Sequence, residues 1–131
     1  MSEQKTQGRV LFLDDEPYII KMAESILKSI GYTVRGVLSG DEAIKAYREE
    51  IKSGGSFDAL ILDLYVKGGM GGVDVVKVLS LEFKDLKAVA SSGYSDDPVL
   101  ADPFSYGFKA SIKKPYTRNE LKVVLESLGG N

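Results

Sequence analysis

The chain has 131 residues, a length that suits one domain, and its 44% hydrophobic and 27% charged residues are enough to fill one core. Acidic residues exceed basic ones, for a net charge of −2, which argues against a surface built to bind nucleic-acid phosphates. With no Cys and no His in the chain, disulfides, thiol nucleophiles, His-ligated zinc and every Ser-His-Asp arrangement are excluded.

Residues 1–8 are polar and read as a flexible tail rather than a signal peptide. No apolar run approaches the roughly 20 residues of a membrane span, so a cytoplasmic protein is expected. Arg9–Leu13 reads as a buried strand ending at Asp14. Pro17 opens a helix where its missing N–H costs nothing, and Ile19, Met22, Ala23, Ile26, Leu27 and Ile30 recur at helical spacing up to Gly31. Tyr32–Leu38 is a second strand, and Ser39 with Glu42 has the spacing of a capping box. The helix it starts carries Ala43, Ile44, Tyr47 and Ile51. After the loop Ser53–Ser56, Phe57–Leu62 is a third strand that ends at Asp63. Gly68–Gly72 reads as a flexible loop before a helix with Val73, Val76 and Leu79.

Lys87–Ala90 is a short fourth strand running into Ser91-Ser92-Gly93. Asp97-Pro98 starts a fourth helix, but an interior proline costs about 3 kcal/mol. Pro103 therefore makes that helix short, kinked or restarted at Asp102. Phe108–Ile112 is a fifth strand, and Thr117 with Glu120 caps a last helix carrying Leu121, Val124, Leu125 and Leu128. Alternating strands and helices predict an α/β domain over residues 1–131, a doubly wound parallel sheet with right-handed crossovers. Such sheets bind ligands outside the carboxyl ends of the strands, where the winding reverses.

The residues at those ends carry chemistry. Asp14, Asp15 and Glu16 follow the first strand, Asp63 the third, Ser91 and Ser92 the fourth, and Lys113 and Lys114 the fifth. If the first and third strands are neighbours, the carboxylates share one crevice. Two carboxylates at about 4 Å repel by roughly 1 kcal/mol in water and several-fold more when partly buried. A shared proton, a lysine or a divalent cation must offset that. Oxygen ligands select a hard ion, and Mg²⁺ fits best. Taken alone, Asp14-Asp15 reads sooner as helix N-terminal charge; its coincidence with Asp63, Ser92 and Lys114 favours a site. No G-x-G-x-x-G or G-x-x-x-x-G-K-[ST] occurs, so a nucleotide cradle is not expected.

Leu11-Phe12-Leu13-Asp14-Asp15-Glu16, Leu60-Ile61-Leu62-Asp63-Leu64, Ser92-Gly93 and Lys114-Pro115-Tyr116, in this order over residues 8–128, resemble the receiver domain of two-component response regulators. The stretches Gly68–Gly72 and Ser92–Pro98 look most like receivers of hybrid sensor histidine kinases. The resemblance implies a flavodoxin-like (βα)5 sheet with strand order 2-1-3-4-5. It also implies a phosphoryl-accepting switch of a two-component phosphorelay. Asp63 would take a phosphoryl group from a phosphohistidine on a sensor histidine kinase or phosphotransfer protein. An interaction face would then change for an output protein that the residues do not identify. Asp15 matches the direct Mg²⁺ ligand, Asp14 holds metal waters or ligates beside it, and the backbone carbonyl of Tyr65 completes the set. Ser92 takes the hydroxyl position, preferred over Ser91 because Gly93 supplies the small residue that follows it. Lys114 takes the cation position, and Pro115 suggests a cis peptide that aims this lysine into the crevice. Such a domain assists its own phosphorylation and dephosphorylation without being a turnover enzyme, and needs neither nucleic acid nor membrane contact.

Three departures stand out against that resemblance. Lys67 replaces a usual proline, adding a mobile charge and loosening its loop. Ser111 stands where many receivers carry a switch aromatic, so output is expected through the fourth helix, with Val99, Leu100, Phe104 and Tyr106 forming a partner face or packing into the core. Tyr65 and Tyr94, two residues past Asp63 and Ser92, flank the path of attacking water and are expected to slow loss of the phosphoryl group. Two rivals remain: a degenerate receiver acting as a docking module, and a Mg²⁺-dependent phosphatase of the haloacid dehalogenase type, which needs an acid where Tyr65 stands.

Overall fold

The computed structural model describes residues 8–129. Of the expected tail, residues 1–7 lie outside the described residues, whereas Gly8 opens the first strand. The elements are β1 (Gly8–Leu13), α1 (Pro17–Ser29), β2 (Tyr32–Val37), α2 (Gly40–Lys52), β3 (Ala59–Asp63), α3 (Gly72–Ser80), β4 (Ala88–Ser92), α4 (Pro98–Ala101), a 3-10 turn (Pro103–Tyr106), β5 (Ala110–Lys113) and α5 (Arg118–Leu128). All strand pairs are parallel, in the order β2-β1-β3-β4-β5. This is the flavodoxin-like order implied by the resemblance.

The two-residue period of each strand sorts the core into two layers. Val10, Phe12, Ala59, Ile61, Val89 and Ile112 face α1 and α5, where Ala23, Leu27, Leu121 and Leu125 meet them. Leu11, Leu13, Leu60, Leu62, Ala88 and Ala90 face the other way, onto Ala43, Tyr47, Val75, Leu79 and Val99 of α2, α3 and α4. Burying each such Leu, Ile or Phe contributes about 1.5–3 kcal/mol. Polar groups inside this shell have no such return. Among the described residues, the buried polar or charged side chains are Asp14, Asp63, Ser91, Ser92 and Asp97, and all lie at or just past the carboxyl end of β1, β3 or β4.

Several element boundaries differ from the sequence expectation for local reasons. Leu38 leaves β2 because its N–H donates to Glu42 Oε1, while Ser39 Oγ accepts from the Glu42 N–H; the expected box is thus shared with Leu38. Phe108 is buried but lies outside β5, its N–H closing the 3-10 turn on Pro103 O. Phe57 likewise precedes β3 and packs beside Tyr47. Met22 is exposed, and α1 buries Ile20 instead. At α5 the capping box is complete, with reciprocal Thr117–Glu120 bonds of 2.8 and 3.1 Å. Pro103 does interrupt the fourth helix, which stops at Ala101 and restarts as the 3-10 turn.

The glycine run contains a packing constraint that a flexible loop would not need. Gly71 caps α3, and a Cβ there would sit 2.1 Å from the Leu64 carbonyl oxygen. Nothing lies within 4 Å of a Cβ at Gly69. Gly71→Ala is expected to cost about 2–3 kcal/mol by urea unfolding, against less than about 0.5 kcal/mol for Gly69→Ala. Equal effects would contradict this packing account.

Candidate functional site

Sheet order places β1 beside β3, with β2 on one side and β4 and β5 on the other. The winding reverses between β1 and β3, and the crevice opens there. Register does the rest. Leu13 pairs with Leu62, which brings Asp14 level with Asp63. Asp63 pairs with Ser91, and Ser92 with Lys113, the residue before Lys114. Four segments far apart in sequence thus deliver their side chains to one cleft of about 580 Å³, lined by Asp15, Asp63, Tyr65, Lys67, Tyr94 and Lys114 among others.

Asp14, Asp15 and Asp63 each offer a carboxylate oxygen, and the three oxygens lie within 4.8 Å of one another. Lys114 Nζ donates to Asp14 Oδ2 at 3.0 Å and to Asp63 Oδ2 at 3.2 Å. The second oxygen of each buried carboxylate accepts a main-chain N–H: Asp14 Oδ1 from Glu16 at 3.0 Å, Asp63 Oδ1 from Tyr65 at 3.3 Å. The Lys114–Pro115 peptide is cis, as the Lys-Pro pair suggested. Burial pushes the Asp63 carboxyl above the ordinary range and the Asp14 charge adds to this, while Lys114 opposes it without winning. At Lys114, burial works against the charge, but the hydrogen bond to Asp14 and the nearby Asp63 outweigh it, so its pKa is raised. The two directions agree with the stoichiometry, since one ammonium is shared between two carboxylates. With Asp15 included, three carboxylates face one ammonium, an excess of two negative charges that suits a divalent hard cation.

Ser92 is fully buried, and its Oγ accepts the Tyr94 N–H at 3.0 Å and donates to Asp97 Oδ2 at 3.4 Å. Among the described residues, the buried Ser91 Oγ and Tyr116 hydroxyl have no hydrogen-bond partner. Asp97 Oδ1 accepts the Val99 N–H at 3.0 Å and so caps α4. Its Oδ2 also receives the Tyr65 hydroxyl at 2.7 Å. That bond, with some burial, pushes the Tyr65 phenol up to about 12. The Tyr65 and Tyr94 rings meet edge to face, their centroids 5.3 Å apart, at the mouth of the cleft. Sequence reasoning saw Asp97 only as a helix start. Its link to Tyr65 spans 32 residues, and no local pattern reveals it.

Two departures also take on a structural role. The Lys67 N–H donates to Asp15 Oδ2 at 2.9 Å. A proline has no N–H to give, so this position ties the loop to the site instead of loosening it. Ser111 Oγ donates to Leu100 O at 2.8 Å, fastening β5 to α4.

Comparison with known proteins agrees with this arrangement. Residues 10–126 match the family model of the response regulator receiver domain. The chain is 30% identical to hybrid signal transduction histidine kinase L of Dictyostelium discoideum, over 97% of this chain and 8% of that kinase. It is 24% identical to response regulator SaeR of Staphylococcus aureus, over 91% of this chain and 49% of that protein. The chain therefore spans half or less of these curated relatives. The receiver domain of sensor histidine kinase PA1611 from Pseudomonas aeruginosa PAO1, solved with magnesium coordinated in its active-site cleft, has the same fold. Its TM-score is 0.81 at 20% identity, covering 95% of this chain and 98% of that one. Neither the docking module nor the phosphatase is favoured by these matches. Over nearly all its length, this chain belongs to the response regulator receiver domain family.

Proposed function

We propose that this domain accepts a phosphoryl group on Asp63 from a phosphohistidine of a sensor histidine kinase or phosphotransfer protein. One observation carries the reading: a buried Asp63 is held on Lys114 while oxygens of Asp14 and Asp15 stand within 4.8 Å. An Asp63 oxygen forms the new O–P bond as the N–P bond of the donor breaks, and the imidazole leaves with the electron pair. Asp63 acts as the nucleophile through its ionised carboxylate. Lys114 follows the charge from the carboxylate to the new phosphoryl group. Asp14, Asp15, Asp63 and the Tyr65 carbonyl would hold Mg²⁺, which when bound neutralises charge on the transferred phosphoryl oxygens. The acidic excess and all-oxygen donor set fit such an ion. Ser92 supplies a hydroxyl at the end of the neighbouring strand. The domain is a switch and not a turnover enzyme. No helix of the described residues is long and apolar enough to cross a membrane, which fits action in the cytoplasm.

Incubation with acetyl phosphate and Mg²⁺, followed by intact-mass measurement, tests the reading. A stable gain of one phosphoryl group is expected. Continuous phosphate release at enzyme-like rates would indicate a phosphatase, and no adduct a docking module.

The paired rings at the mouth of the cleft set the lifetime of the adduct. Tyr65→Asn/Tyr94→Ala opens the water path and is expected to hasten phosphoryl loss about fivefold, a change of about 1 kcal/mol in barrier. Identical decay in variant and wild type would sink this role.

A further inference from the structure

Ser92 has one hydroxyl proton, and the structure directs it away from the cleft chemistry. Its acceptor is Asp97 Oδ2, at the long distance of 3.4 Å. The same carboxylate oxygen already receives the Tyr65 hydroxyl at 2.7 Å, and the other oxygen receives the Val99 N–H. Asp97 is buried, and a buried carboxylate left short of donors is costly. Two hydroxyls therefore compete for one oxygen, and the shorter bond belongs to Tyr65.

We propose that the Tyr65 hydroxyl is a positioning group for phosphoryl transfer: by satisfying Asp97, it leaves the Ser92 hydroxyl free to turn to a phosphoryl oxygen on Asp63. This rests on the phosphoryl-accepting reading above and adds how its hydroxyl donor is made available. Ser92 is the other hydroxyl that meets Asp97 Oδ2, and without the Tyr65 donor it would stay hydrogen-bonded there. The charged phosphoryl oxygens win the proton only because Asp97 does not need it. Tyr65 thus acts through its main chain, whose N–H meets Asp63, and separately through its phenol, which never has to touch the phosphoryl group. The ring is exposed, so Tyr65→Phe removes the hydroxyl while keeping both the ring contact with Tyr94 and the water barrier it forms.

The test is a double-mutant cycle on adduct formation with saturating acetyl phosphate and Mg²⁺, using wild type, Tyr65→Phe, Ser92→Ala and the combined variant. Tyr65→Phe is expected to be three- to tenfold slower, about the size of redirecting one hydrogen bond. The slowing should disappear in the Ser92→Ala background, and Mg²⁺ affinity by calorimetry should be unchanged. A crystal structure of Tyr65→Phe should show the Ser92 Oγ–Asp97 Oδ2 distance shortened from 3.4 Å to below about 3.0 Å. A wild-type rate in Tyr65→Phe, full slowing in the absence of the Ser92 hydroxyl, a matching fall in Mg²⁺ affinity, or an unshortened Ser92–Asp97 distance would each overturn the proposal. In all of those cases wild type still gains its phosphoryl group. A wild type that gains none would instead overturn the phosphoryl-accepting reading, and this proposal with it.

Discussion

Lys114→Ala is expected to lower stability at pH 7 by about 2–3 kcal/mol and to slow phosphoryl uptake at least a hundredfold. The stability loss follows from leaving Asp14 and Asp63 buried side by side with no ammonium between them. It is set below the cost of breaking a fully buried pair because the Lys114 side chain keeps 23% exposure. The Lys114 pKa is raised in the folded protein, so its contribution is fully present below the unfolded value near 10.5 and is lost only as pH climbs through the raised one. The difference from wild type should therefore hold through neutral pH. It should shrink in acid, where Asp63, its carboxyl raised above the ordinary range, loses the charge that needs compensation. Urea unfolding of both proteins from pH 4 to 9 checks this. A Lys114→Ala protein as stable as wild type at pH 7 would mean that the acidic cluster does not depend on it.

Asp63→Asn is expected to separate function from stability. Uptake should vanish, because an amide has no carboxylate to form an acyl phosphate. Stability at pH 7 should nonetheless rise by about 1 kcal/mol. The sign follows from the raised Asp63 pKa, where burial and Asp14 together outweigh Lys114. A carboxyl with a raised folded pKa favours the fold only while protonated, below about 3.8, and that contribution is lost as pH rises through the folded value. The ionised group is thus a cost at neutral pH, and the neutral amide removes it. The gain should fade as pH drops and wild-type Asp63 protonates. Paired unfolding curves at pH 7 and pH 4 carry the test; an Asp63→Asn protein less stable than wild type at pH 7 would show the Lys114 contact outweighing burial. Cost at the functional position is the usual trade between activity and stability.

Much of this architecture was legible because parallel sheets write their topology into short runs. Val10–Leu13 and Ala59–Leu62 are apolar at every position, as strands covered on both faces must be. The helix starts at Ser39 and Thr117 were legible through capping chemistry, which acts within four residues, and the start at Pro17 through the tolerance of a first turn for proline. Asp14, Asp15, Asp63 and Lys114 could be brought together on paper because each directly ends or follows a strand, and register carries such residues to one edge. The signals failed where the deciding contact was not local. Whether Phe108 belonged to β5 was decided by its N–H closing on Pro103. The Gly71 constraint comes from the Leu64 carbonyl pressing on it. Lys67 was judged by its side chain, whereas its backbone N–H holds Asp15. Tyr65 was judged by its bulk, whereas its hydroxyl holds Asp97.

The central claim is that one carboxylate, Asp63, becomes the phosphoryl acceptor within the acidic cluster. After incubation with acetyl phosphate and Mg²⁺, borohydride reduces an acyl phosphate to an alcohol and so turns the acceptor aspartate into homoserine. Peptide mapping of the reduced protein should then find homoserine at position 63 and nowhere else, with none formed when Mg²⁺ is chelated. Homoserine at Asp14 or Asp15, or an unmodified Asp63 in protein that has gained a phosphoryl group, would contradict the account.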